Sequence, residues 1–553
     1  MEGNKPNAID MSHHLSRLAK ERVPSPLKGM YKYFTMPGML MLAGGLPPPE
    51  YFPFESISCT TLQKNSFKTA PNPSYARSVW NWIKGTETDE WTIAKWDDDK
   101  SKIQLSTALQ YGTAQGLPSL HAFIDKFVAH VYDPGYADFR TVINAGSTDA
   151  WSKIVTTLCE PGDGVLCEEW TYPSALATAW PNGMKPVSLP MDGGGLTVEG
   201  MDALLGSWNP DEHDGMRRPR ILYTVPVCQN PTGATMTLER KRAIYALAVK
   251  YDVIIVEDDP YYFLQAPPYA PPSVRSQSFD TKTKQSETDE EFLKSLVPSY
   301  LRVDYQGRVV RIDTFSKTIC PGSRLGFTVT SPIIAERLEK ANESSTQSAS
   351  GFSQALVGKL LAEEWGLDGY IRWLKGIKAQ YRDRRDLMVD LLVQSTDAEL
   401  EARHSALHAT ESGVSLAPWV SPRARNGEKG SGKRILSFVA PQGGMFIWLR
   451  IHFSEHPSFG RLSLAFLLQA LWTDLAEHSV LVAPGSMFSG RDFPPTVPTD
   501  EVAGGFTDEA WQASVDEATG DGFFRIAFST ASEQDMKRAT GIIGSRVEKF
   551  FKA

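Results

Sequence analysis

Between residues 117 and 131 the apolar side chains share one face: Leu117, Leu120, Phe123, Ile124, Phe127, Val128 and Val131. Steps of three and four predict an amphipathic helix. From there short apolar runs alternate with helical stretches. Residues 141–145 predict a strand, Gly146-Ser147 a turn, and 148–159 a helix. Residues 164–167 and 220–227 read as strands, 238–251 as a helix, and 253–256 as a strand. Val309, Val310 and Ile312 open another buried strand. This strand–helix rhythm predicts an α/β fold whose mainly parallel sheet lies between helices. Helices follow Ser331, and strands at 446–449, 480–483 and 524–528 then read as a smaller α+β domain.

Where the pattern lapses, the chain predicts arms and insertions. Up to about residue 55 it is irregular, centred on Leu42-Ala43-Gly44-Gly45-Leu46-Pro47-Pro48-Pro49, which fits neither a helix nor a central strand. The aromatics Tyr51, Phe52 and Phe54 beside it argue that this arm docks. Residues 68–104 are dotted with tryptophan and close on three aspartates, and read as a surface excursion. Residues 276–291 and 421–433 are polar and lack a core pattern, as mobile insertions do. At 553 residues one core is not enough. The expected division is 1–65, the arm and the start of the small domain; 66–104, the excursion; 105–385, the large domain with a mobile insertion at about 270–300; and 386–553, the small domain.

Composition narrows the function classes. A hydrophobic share of 41% and a charged share of 22% are ordinary for a globular chain. Net charge −8 gives no electrostatic reason to bind nucleic acid. No run has the apolar length of a membrane span. The five cysteines are scattered without a CxxC, which fits reduced thiols in the cytoplasm and offers no metal site. The basic, acid-free stretch 11–20 leaves organellar targeting open.

The chemistry concentrates in RIDTFSKTICPGSRLGF, 311–327. Thr314, Ser316, Lys317 and Arg324 follow the strand, where open α/β sheets place ligands. A buried lysine beside cations has a lowered pKa and attacks carbonyls, while an arginine with two hydroxyls suits a phosphate. Pyridoxal 5'-phosphate (PLP) carries both groups. The plainer reading is a surface loop with an exposed lysine. Other strand ends point the same way, each with its own bland alternative. Asn230 in Asn230-Pro231-Thr232-Gly233 either hydrogen-bonds a cofactor's phenolic oxygen or simply makes a turn. In Glu257-Asp258-Asp259-Pro260-Tyr261-Tyr262, one carboxylate suits a pyridine nitrogen, with Glu257 and Asp259 as solvated loop acids. Gly146-Ser147-Thr148 leads a helix whose N–H groups suit an anion, or supplies an N-cap. Tyr172 either stacks on a flat ring or packs in the core. Arg525, inside the apolar strand FFRIAF, requires a carboxylate from protein or substrate.

These motifs together resemble the class I/II (fold-type I) PLP-dependent aminotransferases along nearly the whole chain. Pro24-Ser25-Pro26-Leu27-Lys28, Ala108-Leu109-Gln110-Tyr111-Gly112 and Ile221-Leu222-Tyr223-Thr224-Val225-Pro226 resemble the fungal aromatic and kynurenine/2-aminoadipate branches. The resemblance implies that Lys317 bonds the cofactor's aldehyde carbon and shuttles a proton, and that Asp258 pairs with the pyridine nitrogen. It implies that Asn230 and Tyr261 bond O3', that Tyr172 stacks on the ring, and that Ser147, Thr148, Thr314, Ser316 and Arg324 hold the phosphate. Tyr111 would reach the phosphate of a neighbouring subunit in a homodimer. Arg525, with Asn230 beside it, would take the substrate carboxylate; Gly45 and Leu46 would line the entrance and Lys28 the side-chain pocket. Lys28 replaces an arginine common in the kynurenine/2-aminoadipate branch, and Thr148 a common glutamine. The implied activity is transamination of phenylalanine, tyrosine and tryptophan with 2-oxoglutarate. Alternatives are 2-aminoadipate or kynurenine transamination, a PLP lyase or synthase, and a non-catalytic regulator.

Overall fold

The computed structural model describes residues 5–23, 36, 45–63, 88–278, 287–395, 399–402, 416–420, 435–491 and 511–552. Lys28, most of the 68–104 stretch, the centre of the 276–291 insertion and the whole 421–433 insertion lie outside them.

Seven strands form the principal sheet: β1 Arg140–Asn144, β2 Gly164–Glu168, β3 Lys185–Leu189, β4 Ile221–Thr224, β5 Ile254–Asp258, β6 Val309–Thr314 and β7 Gly326–Thr330. Their spatial order is β1-β7-β6-β5-β4-β2-β3. Neighbours from β6 to β3 pair in parallel. Only β7 runs against the rest, antiparallel to both β6 and β1. The inner strands are buried at every position, as strands covered on both faces must be. Helix Pro118–Val131 lays the expected apolar face on the core, and helix Ser147–Leu158 starts one residue earlier than its pattern suggests.

A second sheet runs Glu399–Ala402, Leu416–Val420, Leu436–Ser437, Phe446–His452, Asp521–Ala527, Ala483–Pro484 in space. Helices Leu464–Glu477 and Glu533–Phe550 pack on it and enclose a separate apolar core. Val480 and Val482 bury their side chains as expected, but only Ala483–Pro484 pairs as strand. The 30-residue helix Gly366–Ser395 joins the two cores, with Tyr370 and Leu374 in the first and Val389 and Leu392 in the second.

Two stretches expected to be irregular are built into the structure. In the N-terminal segment, Met11, Leu15 and Ala19 are buried, and the Ser16 hydroxyl donates to Thr156 O at 2.8 Å. Its apolar residues repeat every four positions, a single face too short to stand out in the sequence. Within the expected excursion, strand Thr88–Ala94 pairs with Ser56–Leu62, and Trp91 and Ile93 enter the large core. At the described C-terminal end of the 276–291 stretch, helix Asp289–Lys294 begins with a Thr288/Glu291 capping box.

Candidate active site

Five strand ends converge. β5 delivers Asp258 as its last residue, and β6 delivers Thr314 followed by Ser316 and Lys317. The turn after β4 carries Asn230, the turn after β2 carries Tyr172, and β1 leads through Gly146 into the helix that starts at Ser147.

Asp258 is fully enclosed. Tyr223 on the adjacent β4 donates its phenolic proton to Asp258 Oδ2 at 2.6 Å, while Asp258 Oδ1 has no hydrogen-bond partner. Burial pushes the Asp258 carboxyl up to about 6, and the Tyr223 bond holds it from going further. A buried carboxylate oxygen without a donor is costly unless a ligand supplies one.

Glu257 and Asp259 are not solvated loop acids. Both are buried and meet Arg311, whose Nη1 lies 3.1 Å from Glu257 and 3.2 Å from Asp259 while its Nε donates to Asp313 at 2.7 Å. Lys241 Nζ lies 3.4 Å from Glu257, and the Arg311 guanidinium stacks 4.0 Å from the Tyr132 ring and 4.7 Å from Tyr262. Burial raises the Glu257 carboxyl, yet Arg311 and Lys241 bring it net below its ordinary value. Asp259, with less compensation, is pushed up to about 7, chiefly by burial. The alternation of the strand puts Asp258 on one side and this paired group on the other.

Lys317 is half-buried and forms no hydrogen bond or ion pair among the described residues. Its pKa is lowered by burial alone, so the neighbouring cations expected from the sequence are not the cause. The next residue is clamped: Tyr370 donates to Thr318 Oγ1 at 2.9 Å and Trp373 Nε1 to Thr318 O at 2.6 Å.

Near Lys317 the hydroxyls and Arg324 form one cup. Thr314 Oγ1 lies 2.9 Å from Ser316 Oγ, and Arg324 donates to Ser316 Oγ at 3.4 Å and to Ala145 O at 3.1 Å. The first intrahelical bond of helix Ser147–Leu158 is Ala150 N–H to Gly146 O, so the N–H groups of Ser147 and Thr148 precede it. Gly146 is required here. Its φ is +100°, and an added Cβ would stand 2.6 Å from Arg324 Nη2. The buried Ser147 hydroxyl also lacks a partner.

Arg525 rises from strand Asp521–Ala527 between two rings, 4.3 Å from Phe446 and 4.5 Å from Phe488. Its Nη1 donates to Asn230 Oδ1 at 2.7 Å, and its buried Nε has no partner. No carboxylate pairs with it among the described residues. Of the alternatives open from sequence, the described residues supply no protein acid, which leaves the guanidinium available to a ligand carboxylate. Tyr261 is buried edge-on to Phe446, 5.8 Å away.

The remaining candidates sit apart. Tyr111 is 61% exposed. Gly45 and Leu46 lie on the surface near it, tethered by Gln110 Nε2 donating to Pro47 O at 2.8 Å. No described hydrogen bond joins them to Arg525 or Lys317.

The family model for aminotransferase class I and II matches residues 86–410, more than half the chain. The chain belongs to this family. An aromatic amino acid aminotransferase of Schizosaccharomyces pombe is 33% identical over 87% of this chain and 90% of its own length. An L-tyrosine:2-oxoglutarate aminotransferase of Serpula lacrymans is 32% identical over 87% and 84%. The crystal structure of the aminotransferase Aro8 from Candida albicans superposes with a TM-score of 0.79 at 31% identity, covering 99% of this chain and all of that one.

Aminotransferases of this class depend on PLP. The donor set fits that group on the geometry alone. An unpaired amine serves an aldehyde, the hydroxyl–arginine cup and free helix N–H groups serve a phosphate, and the orphaned Asp258 Oδ1 serves a protonated ring nitrogen. With its Oδ1 engaged by Arg525, Asn230 has its amide N–H left for a phenolic oxygen.

Sequence reasoning passed over Tyr223, Arg311, Phe446 and Phe488. Arg311, like Arg525, is an arginine within an apolar strand, and the same desolvation cost requires the acids it meets. Tyr223 and the two phenylalanines look like ordinary core residues.

Proposed function

We propose that this aminotransferase moves the amino group of aromatic L-amino acids to 2-oxoglutarate, acting on phenylalanine, tyrosine and tryptophan. One observation carries the reading: Arg525 is a half-buried guanidinium held between Phe446 and Phe488, with no acid beside it among the described residues. Such a group binds a carboxylate through charge-assisted hydrogen bonds, and the rings around it keep water out. The names of the Schizosaccharomyces and Serpula relatives support the aromatic donor and the 2-oxoglutarate acceptor.

The residues divide the work. Bound PLP supplies an electron sink for the charge left when the substrate's α-proton departs. Lys317 would be the residue that holds the cofactor at its aldehyde carbon, and its amine would carry the proton taken from the substrate's α-carbon. Its lowered pKa keeps a larger neutral fraction for that task. Asp258 keeps the ring nitrogen protonated through Oδ1. Asn230 and Tyr261 hold O3', and Tyr172 covers the ring. Ser147, Thr148, Thr314, Ser316 and Arg324 hold the phosphate. Arg525 would hold the substrate's α-carboxylate. Lys28, outside the described residues, is our choice for the distal carboxylate of 2-oxoglutarate, with Leu46 and Gly45 at the entrance.

We further propose a homodimer in which Tyr111 reaches the phosphate in the partner's site, supported by its exposure within a single chain. We also propose the division into 1–65, the arm and the start of the small domain, 66–104, the excursion, 105–385, the large domain, and 386–553, the small domain; the presence of two apolar cores supports at least a large and a small unit, although Leu15, Trp91 and Phe446 join the first core and Tyr269 the second. Free thiols at all five cysteines support a cytoplasmic location. Among the described residues no helix is long and apolar enough to cross a membrane.

The test is a donor panel with 2-oxoglutarate, reading glutamate released. Phenylalanine, tyrosine and tryptophan should lead, with 2-aminoadipate and kynurenine behind them. A preference for aspartate or alanine over every aromatic donor refutes the proposal.

A further inference from the structure

Tyr223 is the one side chain that hydrogen-bonds Asp258 among the described residues. Tyr223 lies on β4 beside β5, in register with Val256, two residues before Asp258. Its ring is 1% exposed and is held by Trp151, 4.8 Å between ring centroids, whose own indole N–H donates to Ala175 O at 2.9 Å. The phenol therefore has one place to point, and it points at Asp258 Oδ2.

We propose that Tyr223 is a positioning residue for the cofactor, occupying Asp258 Oδ2 so that Oδ1 alone faces the ring nitrogen, and favouring the ionised carboxylate that can accept its proton. The inference rests on the assignment of Asp258 to the ring nitrogen. A carboxylate with two free oxygens can rotate and offer either; one with Oδ2 bound at 2.6 Å presents a single acceptor in a single direction. The neighbours do not supply a substitute. Glu168 on β2 and Asp313 on β6 are acids that oppose ionisation of Asp258, and Tyr261 is a further buried phenol beside it. Arg311 favours ionisation, but it is engaged with Glu257, Asp259 and Asp313. Ser147, at the helix start, also favours ionisation by its proximity, but its hydroxyl forms no hydrogen bond to either Asp258 oxygen. Burial keeps the Tyr223 phenol protonated at any working pH, so it remains a donor.

The experiment compares PLP affinity of apo-protein, wild type and Tyr223→Phe, from pH 5 to pH 9. Titration of PLP itself cancels when the two dissociation constants are divided at each pH. Removing a hydrogen bond to a charged group moves a carboxylate by about one pKa unit. The variant should therefore bind more weakly throughout, with the ratio growing by about tenfold as pH falls from 8.5 to 5. In an Asp258→Asn background, where nothing titrates, Tyr223→Phe should leave the ratio flat. A pH-independent ratio in the wild-type background, or an unchanged affinity, overturns the proposal by reducing Tyr223 to packing. Failure of the wild type itself to bind PLP instead overturns the assignment beneath it.

Discussion

Replacing Asp258 with asparagine should have opposite consequences with and without cofactor, and the apo-protein gives the sharper number. Asp258 is 4% exposed, Oδ1 has no partner, and burial raises its carboxyl from 3.8 to about 6. Sign follows directly. Below pH 3.8 the group is protonated in both the folded and unfolded states and contributes nothing. Between 3.8 and about 6 the unfolded chain releases the proton while the folded chain holds it, so stability falls as pH rises. Above 6 the full penalty persists, about 2 pKa units or about 3 kcal/mol. Asparagine cannot ionise and escapes that penalty, although its amide leaves a buried donor unsatisfied at a cost of about 1–3 kcal/mol. That cost is the same at every pH. The change in unfolding free energy caused by Asp258→Asn should therefore be more favourable at pH 8 than at pH 4.5 by about 2 kcal/mol. Urea unfolding of the two apo-proteins at both pH values measures it. A substitution effect independent of pH, or one more damaging at pH 8, would mean that Asp258 is already stabilised as an anion and the reasoning fails.

The loaded Asp258→Asn enzyme should still bind PLP but lose about 10²-fold or more in turnover, because an amide does not keep the ring nitrogen protonated; if Asp259→Asn is the crippled variant instead, the acidic triplet is assigned one residue out of register. Arg525→Gln should lower kcat/KM by about 10²–10⁴-fold for every donor, at two charge-assisted bonds of about 1.5–3 kcal/mol each, with an unchanged PLP dissociation constant; loss confined to one donor class argues against its contact with the carboxylate. Gly146→Ala drives a methyl into Arg324 from a positive-φ position and should weaken PLP binding by about tenfold or more at about 1–3 kcal/mol of strain, read by apo-protein titration. Lys28→Ala should raise KM for 2-oxoglutarate more than KM for phenylalanine, and equal losses contradict its proposed contact with the distal carboxylate.

The alternating pattern exposed most of the large sheet because its central strands are short, apolar and buried on both faces, a strong signal in any sequence. Asp258, Asn230, Lys317 and Arg324 were legible for a related reason: polar chemistry at the end of an apolar strand is conspicuous. What was hidden depended on three-dimensional partners. Glu257 and Asp259 looked like surface acids because their counter-ion, Arg311, lies more than fifty residues away and on another strand. Tyr223 looked like a β-forming core residue because only the neighbouring strand shows what its hydroxyl meets. Strand Thr88–Ala94 was lost among polar neighbours, since a two-stranded hairpin buries only alternate residues such as Trp91 and Ile93.

The claim on which the rest depends is that Lys317 is the residue joined to the cofactor. Reducing the PLP-loaded protein with borohydride and locating the pyridoxyl group by peptide mass spectrometry tests it directly. The group should be found on the peptide containing Lys317, at close to one per chain, and the visible absorbance of the loaded protein should be absent from Lys317→Ala. A pyridoxyl group on another lysine, or a visible band that survives in Lys317→Ala, would contradict the account.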